Sequence, residues 1–277
     1  MSRKKIDPET LVGKVQERYA RIAEGALSGC CSPTSEDESL RIGYRPEELA
    51  AVPGEANMGL GCGAPVDLLD LAPAETVLDL GSGGGIDAFL AARKVGAAGK
   101  VIGVDMTPAM IEKARSAAAR SGLSHVEFRQ GRLEALPVAD NSVDAVTSNC
   151  VINLVPDKKA VFSEVARVLR PGGRLVISDI ILDGVLPEVV ANDLLAYVGC
   201  VSGALQRKDY FAAVAEAGLA DVRVLKDVDY LAGIAHSVLP AETLQVMEQR
   251  GVRVEDLTGI VRSVTFRAVK PAFREKR

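Results

Sequence analysis

Thr76-Val77-Leu78-Asp79-Leu80-Gly81-Ser82-Gly83-Gly84-Gly85-Ile86-Asp87 decides how this chain folds. Its first five residues, β-branched and aliphatic around one acid, read as a buried strand that stops at a glycine loop. Phe89, Leu90 and Val95 then supply apolar positions for a helix among small alanines. The glycines allow a sharp turn and let a ligand lie directly on the backbone. Val101-Ile102-Gly103-Val104-Asp105 is the next strand, ending in a carboxylate 20 residues beyond Gly85. At that spacing a strand-end acid reaches ribose hydroxyls bound over the first turn. Strand, loop, helix, strand and acid together predict a nucleotide-type site. The loop has neither the Gly-x-Gly-x-x-Gly spacing of dinucleotide binders nor the Gly-Lys-Ser/Thr of a phosphate cradle.

Towards the N-terminus, Asp7-Pro8-Glu9 opens a helix capped by Asp7, with Leu11, Val15, Tyr19, Ile22 and Ala26 at helical spacing. From there to Pro65 no helix or strand pattern emerges. The cysteine-bearing residues 28–55 are expected to form a long lid-like loop. The glycine-rich Asn57-Met58-Gly59-Leu60-Gly61-Cys62-Gly63-Ala64-Pro65 and a short helix over 65–71 lead into the first strand. Towards the C-terminus, a helix starts at Thr107-Pro108, and strands follow at 126–129 and 143–149. A helix over 157–170 is stopped by Pro171-Gly172-Gly173, and a fifth strand occupies 174–179. This alternation predicts an α/β fold, a doubly wound, open parallel sheet with helices on both faces. Beyond Leu182, helices are expected over 187–200, 209–217 and 240–249, and strands over 222–230 and 261–269.

The 277 residues, 48% hydrophobic and 25% charged, suit a soluble globular protein with one large core and a small appendage. A net charge of −4 argues against a nucleic-acid partner. No apolar run reaches the roughly 20 residues of a membrane span. The basic Met1-Ser2-Arg3-Lys4-Lys5 start is not followed by a signal-peptide core. A cytoplasmic monomer without nucleic-acid or membrane partners is expected. Five cysteines, an odd number, argue against a disulfide framework, and His125 and His236 are too isolated for a histidine metal site.

In an open α/β sheet the ligand crevice lies outside the carboxyl ends of the strands. Cys150, in Ser148-Asn149-Cys150-Val151-Ile152-Asn153-Leu154, follows the fourth strand and should face that crevice. Cys200 ends a helix, Cys62 lies in the glycine segment, and Cys30-Cys31 lie in the long loop. Each alone reads first as core filler, and none has the Cys-x-x-Cys spacing of a zinc site.

Asp79-Leu80-Gly81-Ser82-Gly83-Gly84-Gly85 resembles the first motif of the S-adenosylmethionine-dependent methyltransferases of Rossmann-like fold. Taken with the segments at 57–65, 103–108, 148–154 and 167–173, the chain closely resembles the arsenite methyltransferases, over about residues 19–219 and again at 264–270. The glycine loop and Leu169-Arg170-Pro171-Gly172-Gly173 are shared with many methyltransferases. Gly59-Leu60-Gly61-Cys62-Gly63 and the run around Cys150 are much more specific. Two positions depart from the family: Ala64 stands where Asn is usual, and the upstream cysteine is a pair, of which Cys30 or Cys31 fills the role.

The resemblance implies methyl transfer from S-adenosylmethionine to thiolate-bound trivalent arsenic, held at Cys150, Cys200 and Cys62, with Cys30 or Cys31 as a further thiol. It implies Asp79, Gly81, Ser82, Gly83, Asp105, Met106, Leu133, Glu134 and Asn149 around the cofactor. Of these, Asp105 and Met106 take the ribose and adenine, and Leu133 and Glu134 the adenine edge. A thiol reductant, glutathione or thioredoxin, is the implied co-substrate. The implied layout is an N-terminal helix and lid (1–64), a cofactor-binding core (65–182), and an arsenic-binding C-terminal region completing the sheet (183–277). The chemistry agrees: trivalent arsenic is soft and prefers thiolates, whose pKa values the site should lower. Its lone pair needs no general base, so near-attack positioning carries catalysis. A quinone- or sterol-type C- or O-methyltransferase would want a base or an aromatic pocket, and aromatics are only 4%. A thiol-based metalloid sensor would not need the intact glycine loop with Asp105.

Overall fold

The computed structural model describes residues 7–27, 35–232 and 241–272. Helices α1 (Pro8–Ala23), α2 (Ser35–Ile42) and α3 (Pro46–Leu49) precede the sheet. Then come β1 (Thr76–Leu80), α4 (Ile86–Val95), β2 (Lys100–Asp105), α5 (Pro108–Ser121), β3 (Val126–Gln130), β4 (Val143–Asn149), α6 (Lys158–Val168) and β5 (Leu169–Leu182). The remainder is α7 (Glu188–Ala191), α8 (Leu194–Val198), α9 (Arg207–Glu216), β6 (Ala220–Asp229), α10 (Ala241–Gln249) and β7 (Val261–Val269).

The strands form one seven-stranded sheet in the order β3-β2-β1-β4-β5-β7-β6. The first five pair in parallel, as the alternation predicts. β7 inserts antiparallel between β5 and β6, so the sheet is mixed rather than wholly parallel. The chain runs outward from β1 to β3 and then returns to place β4 beside β1. That reversal opens a crevice past the carboxyl ends of β1 and β4, which is where Gly81 and Cys150 begin.

Side chains of a strand alternate between faces, and β1 divides its core accordingly. Leu78 and Leu80 pack with Val146, Phe162, Val165, Ile177 and Phe266 on the α6 and α9 side. Val77 packs with Phe89, Val101, Ile111, Ala145 and Val176 on the α4 and α5 side.

Four local expectations change. The stretch expected to be a loop carries α2 and α3, and α2 buries Glu38 and Ser39 beside Ile42. Ser39 Oγ donates to Asn57 Oδ1 at 2.7 Å, so the inward face is held partly by hydrogen bonds, which a search for apolar periodicity does not register. α1 is capped by Asp7 and buries Val15 and Ile22 as expected, but Val12 and Ala23 join them inward in place of Leu11 and Ala26, the latter lying beyond the end of the helix. β5 starts at Leu169 and runs through Pro171, with Gly172 at φ 84° and a register shift near Val143. The expected helix over 187–200 is two short ones, α7 and α8. Among the described residues, no helix is long and apolar enough to cross a membrane.

Candidate active site

The glycine loop is tied to β2. Gly81 and Ser82 both donate their N–H groups to the Val104 carbonyl, at 2.7 and 3.0 Å. Gly81 sits at φ 65°, and a Cβ there would strike the side chain of Val151, so the position admits only glycine. At the end of β2, Asp105 accepts from Gly83 N–H (3.0 Å) and from Thr107 N–H (2.8 Å). At the start of α4, Asp87 accepts from the Tyr44 hydroxyl (2.9 Å) and from Asn149 Nδ2 (3.3 Å).

These acids line one pocket together with Gly81, Ser82, Gly83, Met106, Leu133, Glu134 and Asn149. Every residue assigned to the cofactor from the sequence therefore borders the same space. Burial raises the carboxyl pKa of all three aspartates. Asp79 stands well above its ordinary value through burial and the neighbouring Asp87 and Asp105, and Asp87 rises to about 6 although Tyr44 and Asn149 oppose the shift. Asp79 Oδ2 and Ser82 Oγ are buried and have no hydrogen-bond partner among the described residues. Among the described residues, no lysine, arginine or histidine lines the pocket. Unpaired buried acceptors among carboxylates favour a cationic ligand that donates hydrogen bonds, and disfavour a phosphate. S-adenosylmethionine, with its ammonium and sulfonium charges, fits this donor set. Asp79 and Ser82 would hold the amino-acid end, Asp105 the ribose, and Met106 and Leu133 the adenine. Helix α1 closes one side, where Val15 and Tyr19 line the pocket and Gln16 Nε2 donates to the Met106 carbonyl at 3.2 Å.

Cys150 and Cys200 line the same pocket from its other end. Both have left-handed backbone, at φ 58° and 67°, an unusual conformation for residues other than glycine. The Cys150 N–H is fixed to the Ser178 carbonyl at 2.8 Å, and Cys200 Sγ donates to the Cys150 carbonyl at 2.9 Å. The Cys150 thiol lies within hydrogen-bonding reach of both the Cys200 and Cys62 thiols. Those two contacts and burial push it well above the usual thiol range, opposite to the lowering expected from the sequence. Cys62 is buried just outside the pocket, its N–H bonded to Asn149 Oδ1 and its carbonyl accepting from Ser263 Oγ. Among the described residues, no group of three His, Cys, Asp or Glu side chains is already arranged to hold a metal ion. Cys200 must release the Cys150 carbonyl before the thiols can converge on one atom. Cys30 and Cys31 lie outside the described residues, as does His236.

Among the pocket residues to which the sequence assigned no role is Asp87, with Tyr44, outside the lining, as its hydrogen-bond partner. Asp87 stands inside the glycine-loop stretch and was open to recognition there. Tyr44 carried no local signal, being 43 residues away from its partner.

Fold and pocket together define a Rossmann-like methyltransferase, and a family model described as a methyltransferase domain matches residues 71–218. Arsenite methyltransferases from Halobacterium salinarum and Aquipseudomonas alcaligenes are 47% and 38% identical to it, over 79% and 77% of this chain. The structure of an arsenic(III) S-adenosylmethionine methyltransferase from Chlamydomonas reinhardtii is similar with a TM-score of 0.62 and 32% identity, covering 89% of this chain and 76% of that one. The chain belongs to the arsenite methyltransferase family. It spans 59% and 63% of the lengths of the Halobacterium and Aquipseudomonas relatives.

Proposed function

We propose that the protein methylates trivalent arsenic at the expense of S-adenosylmethionine. The observation that carries this reading is the opening of Cys150 and Cys200 into the same space as the acid-lined pocket, with the Cys62 thiol in reach of Cys150. When bound, the cofactor supplies an electrophilic methyl on a sulfonium centre. Asp79 would hold its amino-acid end and Asp105 its ribose, Asp87 would add negative charge to the same pocket, and the thiols would hold arsenic with its lone pair free. The lone pair forms the As–C bond while the S–C bonding pair stays on the departing sulfur. No proton leaves arsenic, so no general base is needed, and the contribution of the protein is orientation. The transfer raises arsenic formally from trivalent to pentavalent. A thiol reductant such as glutathione or thioredoxin returns the two electrons as its thiols become a disulfide.

The test is incubation with arsenite, S-adenosylmethionine and a thiol, followed by mass spectrometry of the arsenic species, against a quinol and a phenol as competing acceptors. Methylated arsenicals with untouched quinol and phenol are expected. Methylation of either organic acceptor with arsenite unchanged would overturn the reading.

A further inference from the structure

Behind the thiols lies a buried polar cluster that takes no part in the pocket. Asn153, in the short turn after Cys150, is fully buried. Its Nδ2 donates to Asp179 Oδ1 (2.9 Å) and to the Ile180 carbonyl (2.6 Å), both on β5. Tyr210 donates its hydroxyl to Asp179 Oδ2 at 2.9 Å. Lys158, also buried, donates to the backbone carbonyls of Asn153 (3.4 Å) and Val155 (3.1 Å). Asn153 Oδ1 has no donor among the described residues. An unpaired buried acceptor costs the fold something that an apolar side chain would not. Against that cost stand the two bonds it donates, one of them to the buried Asp179 carboxylate.

The cluster touches both cysteine-bearing segments. Asn153 stands three residues after Cys150, and its backbone carbonyl is also the surface on which Gly203, three residues after Cys200, is seated. A Cβ at Gly203 would strike that carbonyl and crowd the Tyr197 ring at 3.0 Å. Tyr197, three residues before Cys200, donates its hydroxyl to the Leu154 carbonyl at 3.2 Å. The two segments are thus laid against each other at Asn153. Left-handed backbone such as that of Cys150 and Cys200 persists only where the surroundings over-determine it.

We propose that Asn153 is a positioning residue that sets the spacing between the Cys150 and Cys200 thiols, through its side-chain hold on β5 and its carbonyl seat for Gly203. The inference rests on the reading of these thiols as the arsenic site. Asn153 touches no reacting atom; it acts through the backbone of both segments. Lys158, donating to the same carbonyl, keeps the seat in place.

Three variants of the full, reduced chain test this. Asn153→Asp keeps the size and removes the donor. Gly203→Ala keeps every hydrogen-bonding group and drives the segments apart, and it carries the test if Asn153→Asp does not fold. Tyr210→Phe removes a bond from the same cluster without touching either cysteine segment. Calorimetric titrations with arsenite, with phenylarsine oxide (two exchangeable positions) and with S-adenosylmethionine are set beside melting temperatures. Asn153→Asp and Gly203→Ala are expected to weaken both arsenicals at least tenfold while S-adenosylmethionine stays within twofold. Tyr210→Phe is expected to melt lower while binding both arsenicals within twofold of the parent. Parent-like arsenical binding in Asn153→Asp and Gly203→Ala overturns the proposal, as does an equal loss in Tyr210→Phe. Normal binding of both arsenicals by Cys150→Ser would instead remove the thiol reading itself, and the positioning role with it.

Discussion

The carboxamide of Asn149 grips Cys62 and its neighbour as a paired strand would. Oδ1 accepts from the Cys62 N–H at 3.0 Å, and Nδ2 donates to the Gly63 carbonyl at 2.7 Å. The approach requires Gly61, where a Cβ would lie 2.9 Å from the amide. The same Nδ2 reaches the Tyr44 hydroxyl (2.9 Å) and Asp87 Oδ2 (3.3 Å). Asn149 therefore joins the wall of the acid pocket to the segment that carries a thiol.

Asn149→Ala should release that segment. Loss of buried hydrogen bonds, one of them to a carboxylate, should lower stability by about 1–3 kcal/mol. Arsenite turnover should fall more than tenfold, because Cys62 loses its backbone anchor. Thermal melts and initial rates check this; a variant that melts and turns over like the parent would show that the anchor is dispensable.

Asp105→Ala should weaken S-adenosylmethionine by about 1–3 kcal/mol, the range for hydrogen bonds to a charged group. Part of the loss comes through the glycine loop, since Asp105 also holds the Gly83 N–H. Calorimetry decides, and unchanged affinity in a folded variant removes Asp105 from the cofactor site.

Arsenite has three exchangeable positions and methylarsonous acid only two, which separates the cysteines by role. Cys150→Ser and Cys200→Ser should abolish methylation of both species, because a hydroxyl is a harder ligand than a thiol. Cys62→Ser should stop arsenite methylation and spare methylarsonous acid. Loss of both activities in folded Cys62→Ser would refute this division of roles.

Stability should depend on pH through the cluster behind the thiols. Burial raises Asp179 to about 7, so from about pH 4 to 7 the folded chain holds a proton that the unfolded chain has lost. Stability therefore declines as pH rises through that window, by at most about 1.4 kcal/mol per pH unit for one group. Asp87, raised to about 6, adds a decline of the same sign. Lys158, lowered to about 8 by burial, works oppositely: above pH 8 the unfolded chain keeps the proton longer, and stability climbs. Asp179→Asn should flatten the melting-temperature curve between about pH 4 and 7 and, because the Asp179 charge also holds Lys158 up, make the climb begin at lower pH than in the parent. A variant curve parallel to the parent's would mean that Asp179 does not titrate in that range.

The parallel half of the sheet was legible because each strand is a short apolar run closed by a turn or a cap, as at Leu80-Gly81 and Asp105-Met106-Thr107-Pro108. Asp105 was legible in the same way, as an acid at the end of a strand, whereas the other cofactor assignments rested on the resemblance to the methyltransferases and not on local pattern. Three features needed contacts that no local pattern carries. α2 hides behind a buried glutamate and serine. β5 runs through Pro171-Gly172-Gly173, a run that reads as a break, because Gly172 N–H donates to the Lys270 carbonyl at 2.8 Å, from the far end of the chain. The Asn149 grip on Cys62 spans 87 residues. Cys62 was legible as a thiol and Asn149 as a strand-end amide, but their pairing became visible only once the chain had closed on itself.

The acid wall of the pocket bears on what happens after the methyl has gone. A methyl donor and its spent product differ by one carbon and by one positive charge. A surface of carboxylates with no counter-cation among the described residues would distinguish the two by that charge, and an apolar wall meeting one extra carbon would barely do so. On that reading Asp79, whose Oδ2 has no hydrogen-bond partner among the described residues, would hold the product through its ammonium alone. On the proposed function, the arrangement that gathers the donor would loosen its grip once that charge has gone, which would favour exchange of spent cofactor for fresh without a separate ejecting device.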